Sequence, residues 1–295
     1  MEQKISRTYK DRLFRFLFSE KEAALSLYNA VNGTSYENPE LLDFITLGDA
    51  IYMGMKNDIA FVVLPDLNLY EQESSVNPNM PLRGLFYLAR EYEKIVERSG
   101  INVFSHSLQK LPTPKYVVFY NGTQKLPDET ELRLSDAFEH PEEACLEVRA
   151  RLCNINVGHN EALLKRCARL GDYAKFIACV REKMKSGSSA SEAVDEAVEQ
   201  CIREGILADI LREHRAEVIG MVLSEWDSEK MRKLDREEGR EEGRKEGRKE
   251  GREETLLDAV HNLMQTLGKS AEETMDLMRV PVPEREHLIR LLTEQ

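Results

Sequence analysis

The 295-residue chain carries a single tryptophan, and its five cysteines are an odd count with no Cys-x-x-Cys pair. Cys145, Cys153, Cys167, Cys179 and Cys201 therefore suggest neither a disulfide framework nor a zinc site, and they fit a reducing cytoplasm. Most read as small core residues. No apolar run approaches the about 18 residues that a membrane-spanning helix needs. Residues 1–18, MEQKISRTYKDRLFRFLF, lack the continuous apolar region and small-residue cleavage site expected of a signal peptide. His106, His140, His159 and His214 are scattered, with no His-x₃-His spacing. There is no catalytic dyad, nucleophile motif or phosphate-cradling glycine loop to be read from the spacing.

A net charge of −12 argues against wrapping nucleic acid non-specifically. The charge is uneven, however. Leu146–Lys185 holds nine Lys/Arg against four Asp/Glu. That excess suits either a phosphate-binding face working by counterion release or an amphipathic helix with a solvated cationic side. A hydrophobic content of 41% supports a real core, and 32% charged residues leave material for appendages.

The strongest local pattern lies in Met55–Arg83. An apolar run, Ile59–Leu64, meets Pro65-Asp66, and Leu67–Glu73 follows. Two β-rich runs around Pro-Asp predict a hairpin. Proline cannot take the positive φ of a two-residue type I′ turn, so a four-residue loop is expected. In that register Val63 pairs Asn68, Phe61 pairs Tyr70, and Asp58 faces Glu73. Alternation then gathers Asp58, Glu71 and Glu73 on one face. Like charges that close repel unless a cation joins them, so removing one should cost the fold nothing. The cluster reads as a site for a hard divalent ion or as a solvated acidic strand face. An odd-length loop would turn Asp58 to the other side.

Around it, residues 5–18 read as a first helix. Ser19-x-x-Glu22 reads as the capping box of a second, stopped by Asn32-Gly33. Asn79-x-Pro81 opens a helix over 81–98, with Leu82, Leu85, Phe86, Leu88, Ala89 and Tyr92 toward the sheet. Lys115–Tyr120 and Cys145–Asn156 read as strands, separated by a connector with a short acidic segment. From His159 onward the pattern is helical, with Ser189-x-x-Glu192 a second capping box. Arg236–Glu254 repeats Arg-x-Glu-Gly with a period of four. Its ion pairs contribute about 0.2–0.5 kcal/mol each and its glycines cost about 1 kcal/mol each. The segment is therefore a flexible tether or fraying helix, or a stripe for self-association.

Asp58, Glu71-x-Glu73 thirteen positions on, and the Asn-Pro-Asn-Met-Pro-Leu-Arg helix start together resemble the Rpn family. These are recombination-promoting nucleases, also described as transposases of DNA recombination, within the PD-(D/E)XK nuclease superfamily. Tyr9–Phe18, Lys115–Gly122 and the Arg-Glu-Glu-Gly tail resemble the same family, so the likeness covers most of the chain up to about Thr255. The resemblance implies an α/β fold: a PD-(D/E)XK-like mixed sheet flanked by helices, followed by a helical C-terminal region. It implies Mg²⁺- or Mn²⁺-dependent cleavage of DNA with little sequence specificity. Asp58 and Glu71 would hold the metal, Asp11 on the first helix would assist, and Glu73 would complete the catalytic set. Glu73 departs from the family, which usually carries Gln there. Arg83 and Arg12 are the candidates for phosphate contact, or Arg83 pairs with Glu71 or Glu73. The expected organisation is a nuclease-like core at 1–157, a helical region at 158–234 packed on it, the charged repeat at 235–254 as linker or helix, and a small helical module at 255–295. Expected partners are DNA, no membrane, and a second copy through the repeat. The alternative is a catalytically impaired DNA-binding or self-associating scaffold on the same fold.

Overall fold

The computed structural model describes residues 12–45, 59–185 and 189–293. The chain divides into two units, Met1–Ser228 and Glu229–Gln295.

The first unit opens with α1 (Arg12–Leu17) and α2 (Lys21–Asn32), then a 3₁₀ turn at Pro39–Leu41. Strands β1 (Leu42–Phe44), β2 (Ile59–Val63) and β3 (Asp66–Glu73) follow, then α3 (Met80–Ser99), β4 (Thr113–Tyr120), β5 (Glu129–Arg133) and β6 (Arg149–Asn154). Helices α4 (Glu161–Arg166), α5 (Ala168–Lys185), α6 (Ala190–Glu204) and α7 (Ala208–Glu213) complete it, with the start of α8 (Arg215–Leu267). The six strands form one mixed sheet in the order β1-β2-β3-β4-β6-β5. β3, β4 and β6 run parallel; β2 and β5 pair antiparallel to their neighbours. The architecture is a mixed α/β sheet flanked by helices, followed by a helical C-terminal region.

Both faces are covered. Phe14, Tyr28, Phe61, Tyr70, Phe119, Tyr173 and Phe176 belong to one core, which joins α1, α2, α5 and α6 to the sheet. Leu69, Met80, Tyr87, Tyr116, Val118 and Leu152 form the core beneath α3. Strands covered on two sides become continuously apolar. β3 is buried at every position, yet its sequence includes Asp66, Asn68, Glu71, Gln72 and Glu73. Each buried polar group there needs a partner. On the α2 side, Asp66 Oδ2 accepts from the Tyr28 hydroxyl at 2.8 Å and from Lys115 Nζ at 2.6 Å. Lys115 also donates to Asn32 Oδ1 at 3.0 Å, which ties the end of α2 to the sheet.

The hairpin register differs from the expected one by two residues. Val63 pairs Asp66, Phe61 pairs Asn68 and Ile59 pairs Tyr70. The loop is the two residues Leu64-Pro65, joined by a cis peptide; a cis proline at the third turn position forms a type VI turn, a route the type I′ argument left out. A shift of two preserves alternation, so Glu71 and Glu73 still share a face. The expected pairing of Asp58 lies outside the described residues.

Three local readings are also corrected. Ser19 does not cap α2: its Oγ donates to Phe16 O at 2.9 Å, closing α1, and Glu20 takes the N-cap position without a side-chain bond. The α3 face is rotated. Met80, Gly84, Tyr87, Leu88 and Glu91 are buried, while Leu82 and Phe86 are 40% and 41% exposed. Gly84 sets that rotation, because a Cβ there would lie 2.4 Å from the Tyr116 ring. The acidic connector contains β5, an edge strand whose half-buried residues alternate with exposed ones. At Ser189 the capping box forms as expected, with Glu192 N donating to Ser189 Oγ and Ser189 N to the Glu192 carboxylate.

In the second unit, α8 carries the Arg-x-Glu-Gly repeat as helix, and Thr255–Leu267 belongs to that same helix. α9 (Ala271–Leu277) and α10 (Val282–Thr293) follow. Val260, Met275, Val280 and Leu288 form a small core of their own. Among the described residues, no helix is long and apolar enough to cross a membrane.

Glu91 on α3 is fully buried, with Lys94 Nζ 3.3 Å away. Burial pushes its carboxyl above the ordinary value, and Lys94 and Arg98 pull it back without cancelling the effect. A carboxyl raised on folding binds more protons in the folded state, so its contribution is present at low pH and lost as pH rises through the folded value. Glu91→Gln is therefore expected to raise Tm at neutral pH. The gain should shrink as the pH falls toward about 4.3, where Glu91 protonates in the unfolded chain. A lower Tm at neutral pH would show that the Lys94 pair outweighs burial.

Candidate functional site

β3 and the first turns of α3 build the site. Glu71 is 1% exposed and Glu73 4% exposed, both on the side facing α3. Arg83 projects from α3 between them. Its Nη1 donates to Glu73 Oε1 at 2.6 Å, and its Nη2 lies 3.5 Å from Glu71 Oε2. The guanidinium thus spends one nitrogen on each carboxylate. Nη2 also reaches the Tyr87 hydroxyl at 3.4 Å, and the guanidinium carbon is 5.8 Å from the Tyr87 ring centre. Met80 Sδ closes the inner side at 3.3 Å from Nη1. From β4, the Tyr116 hydroxyl donates to Glu71 Oε2 at 2.8 Å.

The electrostatics follow from burial and proximity. Burial works to lower the Arg83 pKa, but Glu71, Tyr87 and Glu73 outweigh it and raise it. The Tyr116 hydroxyl is pushed well above the usual phenol range, first by burial and then by Glu71. Both groups stay protonated and donate to the carboxylates. The arrangement is a pair of buried carboxylates bridged by one cation, which leaves one negative charge in excess.

The expected site residues divide as follows. Glu71, Glu73 and Arg83 meet. Asp11 and Asp58 lie outside the described residues. Arg12 begins α1, whose buried side chains pack on the opposite face of the sheet. Among the described residues, no group of three His, Cys, Asp or Glu is placed to hold a metal. Tyr116 and Tyr87 were not anticipated. Period-two alternation marks Tyr116 as a strand residue, but its reach to Glu71 depends on the β3–β4 register, in which Glu71 pairs Val118.

The basic segment spends much of its charge locally. Lys165 pairs with Glu161, Arg169 with Glu20, Lys175 with Asp172 and Lys183 with Glu196. Arg181 donates to Asn121 Oδ1 at 2.7 Å and Asn156 Oδ1 at 3.2 Å, locking the loops after β4 and β6. Beside those loops stands a His–Asp pair that the spacing did not reveal. His159 Nδ1 is 2.7 Å from Asp128 Oδ1, between residues far apart in sequence.

No protein-family model matches the chain, and no curated protein or solved structure matches it significantly. The class defined here is thus a fold class: a mixed α/β sheet carrying a carboxylate pair bridged by one guanidinium on its central strand.

The expectation that loss of a carboxylate costs nothing fails once Arg83 bridges the pair. Glu71→Ala orphans the buried Tyr116 hydroxyl and should destabilise by about 1–3 kcal/mol. Arg83→Ala leaves two buried carboxylates without their counter-ion and should cost more, about 3–5 kcal/mol. Urea unfolding of both variants checks the order; a smaller loss for Arg83→Ala would mean the bridge contributes little.

Proposed function

We propose that the chain is a divalent-metal-dependent DNA endonuclease of the Rpn type, of the PD-(D/E)XK superfamily, working in the cytoplasm with little sequence specificity. The observation that carries this reading is the pair Glu71 and Glu73, buried on one face of the central strand. Charged side chains are seldom placed there without paying for a task, since desolvating them costs several kcal/mol each. The sequence likeness at Asp58, Glu71-x-Glu73 and the following helix start supports it.

Carboxylate oxygens suit Mg²⁺ or Mn²⁺ in kind, but Arg83 already faces one oxygen each of Glu71 and Glu73, and these two alone make no metal-holding group among the described residues, so a site would need Asp58 beside Glu71. Glu71 would hold the ion together with Asp58, and Asp11 would assist from the first helix. When bound, the ion lowers the pKa of a water and polarises a phosphoryl oxygen. Tyr116 orients the Glu71 carboxylate by donating to it. Glu73 anchors Arg83, which stands in the first turn of α3 with 23% of its side chain exposed, close enough to solvent to meet a phosphate.

A second reading is a catalytically impaired DNA-binding or self-associating scaffold. Its support is Glu73 in the place of the usual Gln, engaged by Arg83 at 2.6 Å. Supercoiled plasmid separates the two. The nuclease reading expects nicking with Mg²⁺ or Mn²⁺ that EDTA stops and that Glu71→Gln reduces by at least about a hundredfold, or roughly 2.7 kcal/mol in barrier. No metal-dependent nicking supports the scaffold, and nicking unchanged by Glu71→Gln rules out this site as its source.

A further inference from the structure

The geometry points to the flank of α3 as a track for DNA, running from Arg83 beside the carboxylates to an apolar loop at the far end of the helix, where Phe104 and Leu108 wedge against the bases. This rests on DNA as the partner proposed above, and it adds where the duplex lies.

Three features carry it. First, α3 strings its cations along one side. Arg90, Lys94 and Arg98 follow Arg83 by seven, eleven and fifteen residues, which at 3.6 residues per turn makes a single stripe. That length of helix rises about 22 Å, and duplex DNA advances about 3.4 Å per base pair, so the stripe spans about six or seven base pairs.

Second, the loop after α3 holds apolar side chains out in solvent. Gly100 turns the chain in the left-handed conformation, and Ile101 N donates to Val96 O at 3.1 Å. The Tyr92 hydroxyl fastens the other end of the loop to α3 by donating to Pro112 O at 2.7 Å. Between these points Phe104 N donates to Asn102 Oδ1 and Ser107 N to Ser105 Oγ, which fixes the course of the loop. Phe104 is nonetheless 89% exposed and Leu108 92%. Phe and Leu presented in this way suit insertion between base steps, as minor-groove binders use them, and Lys110 stands exposed beside them for the phosphates.

Third, the charge agrees. The chain carries −12 overall, yet residues 101–115 hold no Asp or Glu. A phosphate backbone repelled by most of such a chain is admitted here. Glu93 and Glu97 are exposed next to the stripe, and the buried Glu91 faces Lys94 at 3.3 Å, so the positive excess along α3 is small. The wedge therefore supplies affinity that charge alone does not.

Fluorescence anisotropy of a labelled duplex of about 20 base pairs, titrated with the full-length protein in EDTA, tests this without cleavage. The wild type should bind with an affinity that falls as salt rises. Arg98→Gln combined with Lys110→Gln should weaken binding at least about tenfold and lower the salt slope by about two, one for each lost phosphate contact. Phe104→Ser combined with Leu108→Ser should weaken it at least about tenfold and leave the slope unchanged. All four positions are exposed, so both double variants should keep the wild-type Tm. Wild-type affinity in both double variants would overturn the track and leave DNA standing as the partner. No binding by the wild type would overturn the DNA reading and the track together. A dimer on a sizing column that Phe104→Ser with Leu108→Ser splits, at unchanged DNA affinity, would assign the loop to a second copy and overturn the wedge.

Discussion

One guanidinium lets the central strand of this sheet carry charge. Glu71 and Glu73 lie two residues apart on β3, on the same face and almost wholly out of water. Two such carboxylates repel and each loses its hydration. Arg83 offsets both terms, and the local structure is arranged to deliver it. Pro81 starts α3 just after the strand, and Gly84 lets that helix settle against Tyr116. The same Tyr116 then reaches Glu71. Helix position, strand pairing and charge compensation are therefore one constraint, and a change in any of them is felt by the others.

The opposite face of the sheet solves a similar problem with different chemistry. Asp66 is neutralised by Lys115 and held by Tyr28, and Asn32 joins the network from the end of α2. Burial and Asp66 both push the Tyr28 hydroxyl above its ordinary value, so it remains a donor. One strand thus carries an ion pair at its start toward α2 and another at its end toward α3. The first has one carboxylate for its cation; the second has two. That excess of negative charge sets the α3 side apart as the candidate site.

Much of this was legible from the chain. The hairpin over Ile59–Glu73, the strand at Lys115–Tyr120, the helix after Pro81 and the shared face of Glu71 and Glu73 follow from alternation, turn residues and capping rules. The pairing of Arg83 with these carboxylates was one of two open readings, because a first-turn residue can reach back over the strand it follows. Other features were hidden for physical reasons. The register depended on the length of the loop, two residues rather than the expected four, which Pro65-Asp66 alone does not fix. β5 has only Leu132 as an apolar mark, as an edge strand can. The face of α3 was misjudged because apolar size favours Leu82 and Phe86, whereas close approach at Gly84 decides the rotation. The Tyr116–Glu71 and His159–Asp128 contacts join segments whose alignment arises only in the folded sheet.

The most direct test of the account is anomalous diffraction from crystals of the full-length protein grown with Mn²⁺. The account predicts an anomalous peak beside the Glu71 carboxylate. No anomalous peak beside Glu71 at saturating Mn²⁺ would contradict it.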